Sequence, residues 1–249
     1  MGALLVGTSG YFYRHWRGIL YPPRLPSPKW LAWYAKVFAT VELNTTFYRL
    51  PSPEAVDRWR QSTPPDFVFA CKGSRFLTHL KRLRERGTGI TRYFDPVRHL
   101  RGKLGPVLWQ LPPQMNKADP ARLDAFLRAL PKNVRQVVEF RSEAWYVDEI
   151  CDVLDAHRAA FCEHDLVAAR PPRFTGGLRY LRFHGATGKY QGRYGRSALR
   201  RVAKDLEPWR AQGHDAFAYF NNDAHGHAVF DALELLDLLG EPAELSPMS

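Results

Sequence analysis

Val137-Val138-Glu139-Phe140-Arg141 is the stretch from which the fold of this 249-residue chain can be worked out. It is short, apolar and β-branched, which predicts a strand buried on both faces of a parallel sheet. Glu139 and Arg141 are two residues apart, and a strand places such residues on one face. Charged groups in a buried sheet must face each other, a polar cavity or a ligand. Taken alone, this strand fits either a structural ion pair or a ligand site.

Seven other segments have the composition of buried strands and alternate with amphipathic helical segments. With strand five at Val134–Arg141, they are Ala3–Gly7, Thr40–Asn44, Phe67–Lys72, Pro106–Leu111, Ala160–Asp165, Leu178–His184 and Ala216–Asn221. Helix starts are indicated by Ser27-Pro28, Ser52-Pro53, Asp95-Pro96, Asp119-Pro120 and Ser142. Strands that each precede a helix require a parallel sheet.

Eight such units in 249 residues predict an α/β fold, a closed (β/α)8 barrel of the triosephosphate isomerase (TIM) type. We expect a single domain over residues 1–240 and a loose C-terminal tail over residues 241–249. A doubly wound open sheet is the alternative.

Composition narrows the class of protein further. The formal net charge of +11 favours an anionic partner, and 45% hydrophobic residues suffice for a large core. Three scattered cysteines without a Cys-x-x-Cys pair indicate a reduced, cytoplasmic protein. The first apolar run ends at Val6 without a preceding basic segment, so we interpret it as a strand and not as a signal peptide. No stretch is apolar for long enough to span a membrane.

Polar side chains near the carboxyl ends of the strands form the candidate site. Alternation along each strand predicts that ten of them face the barrel interior: Glu42, Asn44, Lys72, Gln110, Glu139, Arg141, Arg182, His184, Tyr219 and Asn221. On strand six either Glu163 and Asp165 or Cys162 and His164 could face inward, and we favour Asp165. Polar residues that converge from at least six strands favour a ligand site over a structural ion pair.

Several motifs resemble one protein family. They are Gly7-Thr8-Ser9-Gly10-Tyr11, residues 41–51 (VELNTTFYRLP), Thr78-His79-Leu80, Gln110-Leu111-Pro112-Pro113, Glu139-Phe140-Arg141 with Trp145, residues 181–185 (LRFHG) with Tyr190, and Tyr219-Phe220-Asn221-Asn222. In this order they resemble domain of unknown function 72, the YecE-like proteins. The resemblance implies a TIM barrel but supplies no reaction. The shared motifs also contain Tyr48, His79 and Tyr190, which we add to the candidate substrate-binding residues.

Three functions fit this sequence. The first is an enzyme, hydrolase-like, phosphodiesterase-like or isomerase-like, that performs general acid–base catalysis on a small anionic substrate without a cofactor. Its candidate catalytic residues are Glu42, Glu139, Asp165 and His184, and its candidate substrate-binding residues are Asn44, Tyr48, Lys72, His79, Gln110, Arg141, Arg182, Tyr190, Tyr219 and Asn221. The second is a metal-dependent nuclease or sugar isomerase that uses the same four catalytic candidates as ligands of a divalent cation.

The third function is a nucleic-acid-binding or scaffold barrel without chemistry. Cations and aromatic residues alternate in the loops predicted after strands one, three and seven. The cations are Arg14, Arg17, Lys81, Arg82, Arg84, Lys189 and Arg193. We expect them to surround the site on one rim.

Overall fold

Eight parallel strands form the centre of the fold, in a computed structural model that describes residues 1–241. They are β1 (Leu4–Thr8), β2 (Thr40–Leu43), β3 (Val68–Lys72), β4 (Leu104–Gln110), β5 (Gln136–Glu139), β6 (Ala160–His164), β7 (Leu178–Phe183) and β8 (Asp215–Phe220). The sheet runs in the order β1-β8-β7-β6-β5-β4-β3-β2. A parallel bridge between Ser9, directly after β1, and Glu42 of β2 joins the two ends of this order and closes the barrel. The predicted single (β/α)8 barrel is therefore confirmed, and the open-sheet alternative is wrong.

Closure of the barrel between β1 and β2 depends on Gly7. A Cβ atom there would lie 2.3 Å from the carbonyl oxygen of Thr40. Only glycine permits so close an approach of two backbones. Tyr34 bridges the same junction, because its hydroxyl accepts the N–H of Thr8 and donates to the carbonyl of Thr40, both at 3.0 Å.

Within residues 1–241, eight α-helices surround or cap the strands. They are α1 (Trp30–Tyr34), α2 (Thr45–Tyr48), α3 (Pro53–Gln61), α4 (Thr88–Val97), α5 (Pro120–Ala129), α6 (Asp148–Ala156), α7 (Arg196–Ala211) and α8 (His227–Leu238). Two of the predicted caps are confirmed: Ser52 accepts the N–H of Ala55 at 3.3 Å, and Asp119 accepts that of Arg122 at 3.0 Å. Ser27 and Ser142 make no capping bond, since each precedes or opens a short 3₁₀ turn.

The predicted helix start at Asp95-Pro96 is wrong. α4 begins at Thr88, and Pro96 lies in its last turn. Ile90, Tyr93 and Phe94 are buried on one face of the helix before the proline is reached. Burial of that apolar face outweighs the local Asp-Pro signal.

The expectation that every strand is followed by helical material fails after β6. Residues 165–177 contain no helix. This connection includes the pairs Pro171-Pro172 and Gly176-Gly177, which disfavour helix. Arg173 holds the connection against α6 through Asp148, Asp152 and Asp155.

The core has two layers. The larger layer lies between the strands and the helices, and a smaller one fills the barrel. The residues of the inner layer are Ala70, Leu108, Val137, Ala160, Cys162, Leu178, Tyr180, Phe217 and Tyr219. The barrel is thus a packed core whose polar groups collect above this layer, at the carboxyl ends of the strands.

The C-terminal end bears on two expectations. No helix within residues 1–241 is long and apolar enough to cross a membrane. The last helix ends at Leu238, and the predicted tail beyond Glu241 lies outside the described residues.

Candidate active site

Arg182 of β7 lies at the centre of the site, between Glu42 of β2 and Glu139 of β5. Its Nη2 is 2.7 Å from Oε1 of Glu42, and its Nη1 contacts Oε2 of Glu139. Arg182 is 1% exposed and neither carboxylate is exposed at all. The alternation of each strand places these three side chains inside the barrel, where only one another and a few polar neighbours can satisfy their charges.

The Glu42 carboxylate is saturated with hydrogen-bond donors. Besides Nη2 of Arg182, Oε1 accepts from the hydroxyl of Ser9 at 2.8 Å. Oε2 accepts from Nε of Arg182 at 3.0 Å and from the hydroxyl of Tyr180 at 2.7 Å. Burial alone raises the pKa of Glu42, but the guanidinium and the two hydroxyls outweigh it and hold the pKa below its ordinary value. Glu42 is therefore ionised and fully engaged.

Glu139 is held by two guanidinium groups. Arg182 binds Oε2, and Nε of Arg141, two residues along the same chain, donates to Oε1. Burial raises the pKa of Glu139, yet the charges of Arg182 and Arg141 outweigh burial and keep the pKa well below its ordinary value. The side chain of Arg141 is 11% exposed, so this arginine, unlike Arg182, reaches the mouth of the barrel.

His184 joins the two arginines to Asp165. Its Nδ1 lies 3.1 Å from a carboxylate oxygen of Asp165, so Nδ1 carries the proton and donates it to that oxygen. Nε2 then accepts from Nη2 of Arg141 at 3.3 Å and from Nη1 of Arg182 at 3.2 Å. Burial lowers the pKa of His184 to about 4 although Asp165 opposes the shift. The imidazole is therefore neutral at pH 7. Tyr194 donates to the same carboxylate.

The strand-six alternation that we favoured is wrong. Cys162 faces the barrel interior, while Glu163 points outward and binds Arg179, which also contacts Asp205 of α7. Asp165 reaches His184 because it lies beyond the end of β6, where the chain turns and alternation no longer applies. The alternation rule failed here because Glu163 and Arg179 form an ion pair on the outer face of the barrel, beneath α7.

Lys72, at the end of β3, is a buried cation of the site without a carboxylate partner among residues 1–241. It is 9% exposed, and within residues 1–241 no carboxylate oxygen lies within 4.0 Å of its ammonium group. The ammonium lies 4.3 Å from the centre of the Phe47 ring. Burial, reinforced by the charge of Arg182, lowers the pKa of Lys72 to about 8. The site thus contains a buried cation whose charge the protein does not fully balance.

The neutral candidates lie at two levels. Gln110 is 8% exposed, and Asn44 has a buried Oδ1 without a hydrogen-bond partner among residues 1–241. Asn221 is half-buried directly after β8. Tyr219 belongs to the inner apolar layer, where its hydroxyl is 2.6 Å from Thr40 Oγ1. Gln110, Asn44 and Asn221 lie at or just beyond the carboxyl ends of their strands, whereas Tyr219 belongs to the floor beneath them.

The candidates taken from the shared motifs border the mouth. Tyr48 is 76% and Tyr190 41% exposed. The ring of His79 lies 5.0 Å from that of Phe47, and burial together with the charge of Lys72 lowers the pKa of His79 to about 4. His79 is therefore a neutral neighbour of the Lys72 ammonium.

Sequence reasoning missed Ser9 and Tyr180 as site residues. Both bind Glu42, and alternation could have found Tyr180, which lies two residues before Arg182 on the same face of β7. Ser9 follows the end of β1, so only the closure between β1 and β2 shows that it meets Glu42.

The four side chains considered for a divalent cation do not form one ligand shell. Arg182 lies between Glu42 and Glu139, and Asp165 binds His184 at the edge. Within the part of the chain that the structure describes, no group of three His, Cys, Asp or Glu side chains is arranged to hold a metal.

The rim cations lie in the loops where they were expected. All seven are exposed and follow β1, β3 or β7. Arg193 is an exception in its contacts, because it binds Asp231 and Glu234 of α8 and is therefore neutralised.

Fold and site together define a TIM-barrel protein with a buried carboxylate–arginine centre at the carboxyl ends of its strands. The sequence profile described as protein of unknown function DUF72 matches residues 5–248, and the chain belongs to the DUF72 family. The resemblance seen in the motifs is thereby confirmed.

Three relatives show the extent of the similarity. UPF0759 protein YecE of Escherichia coli K12 is 34% identical over 131 residues, which are 50% of this chain and 48% of YecE; the match spans about half of that relative. UPF0759 protein YunF of Bacillus subtilis 168 is 26% identical over 88% of this chain and 90% of its own length. The crystal structure of a DUF72 family protein from Thermotoga maritima matches with a TM-score of 0.83 and 28% identity, covering 96% of this chain and 99% of that one.

Proposed function

We propose that the mouth of the barrel binds a phosphate- or carboxylate-bearing substrate on Lys72 and catalyses a proton-transfer reaction there. The observation that carries this proposal is the Lys72 ammonium, buried and without a carboxylate within 4.0 Å among residues 1–241. A buried charge is costly unless it is paired. An anionic ligand would supply the missing partner.

We infer from side-chain exposure that Arg141 makes the second contact with the anion. Arg182 is fully engaged beneath the surface, whereas Arg141 has 11% of its side chain exposed at the mouth. Its planar guanidinium matches a phosphate or carboxylate in two-pronged geometry. His184, fixed by Asp165, and Glu139 both contact Arg141 and would hold it in place. We therefore assign the substrate to Lys72 and Arg141, with Gln110 orienting a neutral oxygen.

Lys72 is also the group that we propose transfers the proton. In the charged form that binds the anion, an ammonium with a pKa of about 8 can donate a proton to the substrate, so we assign Lys72 the role of general acid. The pKa values of Glu42 and Glu139 lie below the ordinary value, and their oxygens accept hydrogen bonds from neighbouring donors. We therefore assign them the role of positioning Arg182 and not that of a catalytic acid or base. A general acid beside a guanidinium can protonate the leaving oxygen in a phosphodiesterase-like reaction or a carbonyl oxygen in an isomerase-like reaction.

Binding of ribose 5-phosphate measured by calorimetry tests this proposal. We expect Lys72→Met to weaken binding by about tenfold or more, since one charge-assisted contact is lost. The matched control is Lys204→Met, which removes an exposed lysine of α7 and should leave binding unchanged. Unchanged binding in a folded Lys72→Met protein, or no binding to the wild type, would overturn the proposal.

A non-catalytic, polyanion-binding barrel is the second candidate. The exposed cations of the loops after β1, β3 and β7 favour it. It predicts that neutralising the rim abolishes binding while Lys72→Met has no effect, which is the opposite of the pattern expected for the first candidate.

A further inference from the structure

A cavity of about 570 Å³ opens beside the mouth of the barrel, outside the cluster of charged side chains around Arg182. It lies between the loop after β2 and the segment that joins β3 to α4. Its walls include three aromatic residues and two arginines, namely Tyr48, Phe76, Tyr93, Arg49 and Arg92. This volume accommodates a small planar ligand.

The aromatic walls of the cavity are unusually exposed. Tyr48 is 76% and Phe76 is 41% exposed, although large apolar side chains are ordinarily covered. Exposed rings that share one cavity are typical of a binding surface, because an incoming ring can stack on them.

The backbone that presents Phe76 has a rare conformation. Phe76–Leu80 is a π-helix, and Arg82 and Leu83 directly after it have positive φ angles of 47° and 65°. A leucine in this left-handed region is strained, and full burial of the Leu83 side chain stabilises it there. Single π turns of this kind occur frequently at functional sites.

The cavity also carries positive charge that the protein leaves unpaired. Within residues 1–241, no carboxylate lies within 4.0 Å of Arg49 or Arg92. The carboxylate in the wall, that of Glu85, accepts the N–H groups of Gly87 at 2.9 Å and Gly89 at 3.2 Å. Glu85 thus caps the start of α4, and the two guanidinium groups remain available for an anion.

One aromatic ring separates this cavity from Lys72. The Phe47 ring lies 4.3 Å from the Lys72 ammonium on one side and 4.9 Å from the Tyr48 ring on the other. Tyr93, which lines the cavity, donates its hydroxyl to the carbonyl oxygen of Lys72 at 3.2 Å. The Lys72 ammonium and the Tyr48 ring thus contact the same phenylalanine, and a ligand that crosses the Phe47 ring at the mouth would meet both.

We propose that this cavity binds the base of a nucleotide whose phosphate lies on Lys72, stacked against Tyr48 and Phe76. This inference rests on the proposed anion site and names its substrate class. Stacking of a base on aromatic side chains is tolerant of base identity and stabilises binding by about 1 to 3 kcal/mol per base. Arg49 and Arg92 then meet a further phosphate if the nucleotide is the end of a single strand.

The decisive experiment compares AMP with ribose 5-phosphate, which has the same phosphate and sugar but no base. We expect AMP to bind about tenfold more tightly or better. Tyr48→Ala should reduce the ratio of the AMP affinity to the ribose 5-phosphate affinity, and Tyr48→Phe should retain that ratio. Leu80→Ala, which alters a 65% exposed residue of the same π-helix outside the cavity wall, should change neither affinity.

Each failure has a separate meaning. If ribose 5-phosphate does not bind, the proposed anion site is wrong and this inference falls with it. If ribose 5-phosphate binds in a Lys72-dependent manner and AMP binds no better, only the base site is wrong. A single-stranded oligoadenylate that binds more tightly than AMP, and loses that gain in Arg49→Gln/Arg92→Gln, identifies a strand end as the ligand. Equal affinities identify a mononucleotide.

Discussion

Arg182 and Glu42 pair in a two-pronged geometry across the barrel interior, at Nη2–Oε1 and Nε–Oε2 distances of 2.7 and 3.0 Å. They come from β7 and β2, which β8 and β1 separate in the sheet. The pair therefore connects opposite parts of the barrel, and Glu139 continues the connection to β5. All three side chains are buried, so packing and mutual pairing hold their positions in the barrel interior.

Glu42→Gln should strongly destabilise the fold. The substitution keeps the shape but leaves part of the Arg182 charge uncompensated in a buried place, and breaking such a pair costs about 3–5 kcal/mol. Unfolding in urea measures the loss. Glu149→Gln, at an exposed position of α6, is the control and should stay within about 0.5 kcal/mol of the wild type. A loss below about 1 kcal/mol at Glu42 would contradict the structural role.

The stabilisation by the two glutamates should vanish in acid. The folded pKa values of Glu42 and Glu139 lie below the ordinary value of 4.5, so their contribution is complete above that pH. It is lost as the pH falls through the depressed folded values. The difference in the free energy of unfolding between wild type and Glu42→Gln should therefore be constant from pH 7 to about 5 and shrink below pH 4.5. A difference that stays constant into strong acid would show that folding does not lower the pKa of Glu42.

Lys72→Met should stabilise the protein while it weakens anion binding. The folded pKa of about 8 lies below the ordinary 10.5, so the charged lysine opposes folding. The folded protein carries the full penalty below pH 8, where Lys72 is charged. Wild-type stability recovers as the pH rises from 8 to 10.5, because the folded protein releases the proton there while the unfolded chain keeps it. The variant should gain on the order of 3 kcal/mol at most at pH 7, and the gain should decline above pH 8. Thermal unfolding across this pH range measures the difference in stability between the variant and the wild type. A Lys72→Met protein less stable than the wild type at pH 7 would contradict the conclusion that Lys72 is a buried, unpaired cation.

The rim should bind polyanions with a steep dependence on salt. Lys81, Arg82 and Arg84 are exposed after β3, and each phosphate contact contributes about 0.7 to 0.9 to the logarithmic salt slope. Replacing all three by Gln should flatten the slope for a single-stranded oligonucleotide. Replacing Arg200, Arg201 and Lys204 of α7 by Gln removes the same charge elsewhere on the surface. This second triple variant should alter the salt slope less. Equal effects of the two triple variants would show that only net charge matters.

The sequence predicted much of this architecture because barrel strands obey simple alternation. Glu42, Lys72, Glu139 and Arg182 interrupt apolar strands at inward positions, so their convergence followed from period two and parallel order. The same rule gave the wrong face for Glu163, because its ion pair with Arg179 of β7 lies on the outer face of the barrel.

Alternation also could not give the chemical state of the carboxylates. Whether Glu42 is a free acid or a saturated anion depends on Tyr180 and Ser9, which meet it only through the register and closure of the barrel. Partners that are remote along the chain therefore decide the state of Glu42. The π-helix at Phe76–Leu80 likewise has no marker in the sequence that alternation could detect.

The most direct test of the account is the titration of Lys72 itself. NMR of side-chain-labelled lysine, with the resonance assigned by Lys72→Met, reports its pKa in the free protein and with ribose 5-phosphate. We expect a pKa near 8 in the free protein and a higher value with the ligand, because a bound anion favours the charged ammonium. A Lys72 that titrates near 10.5 and does not respond to ribose 5-phosphate would contradict the central claim.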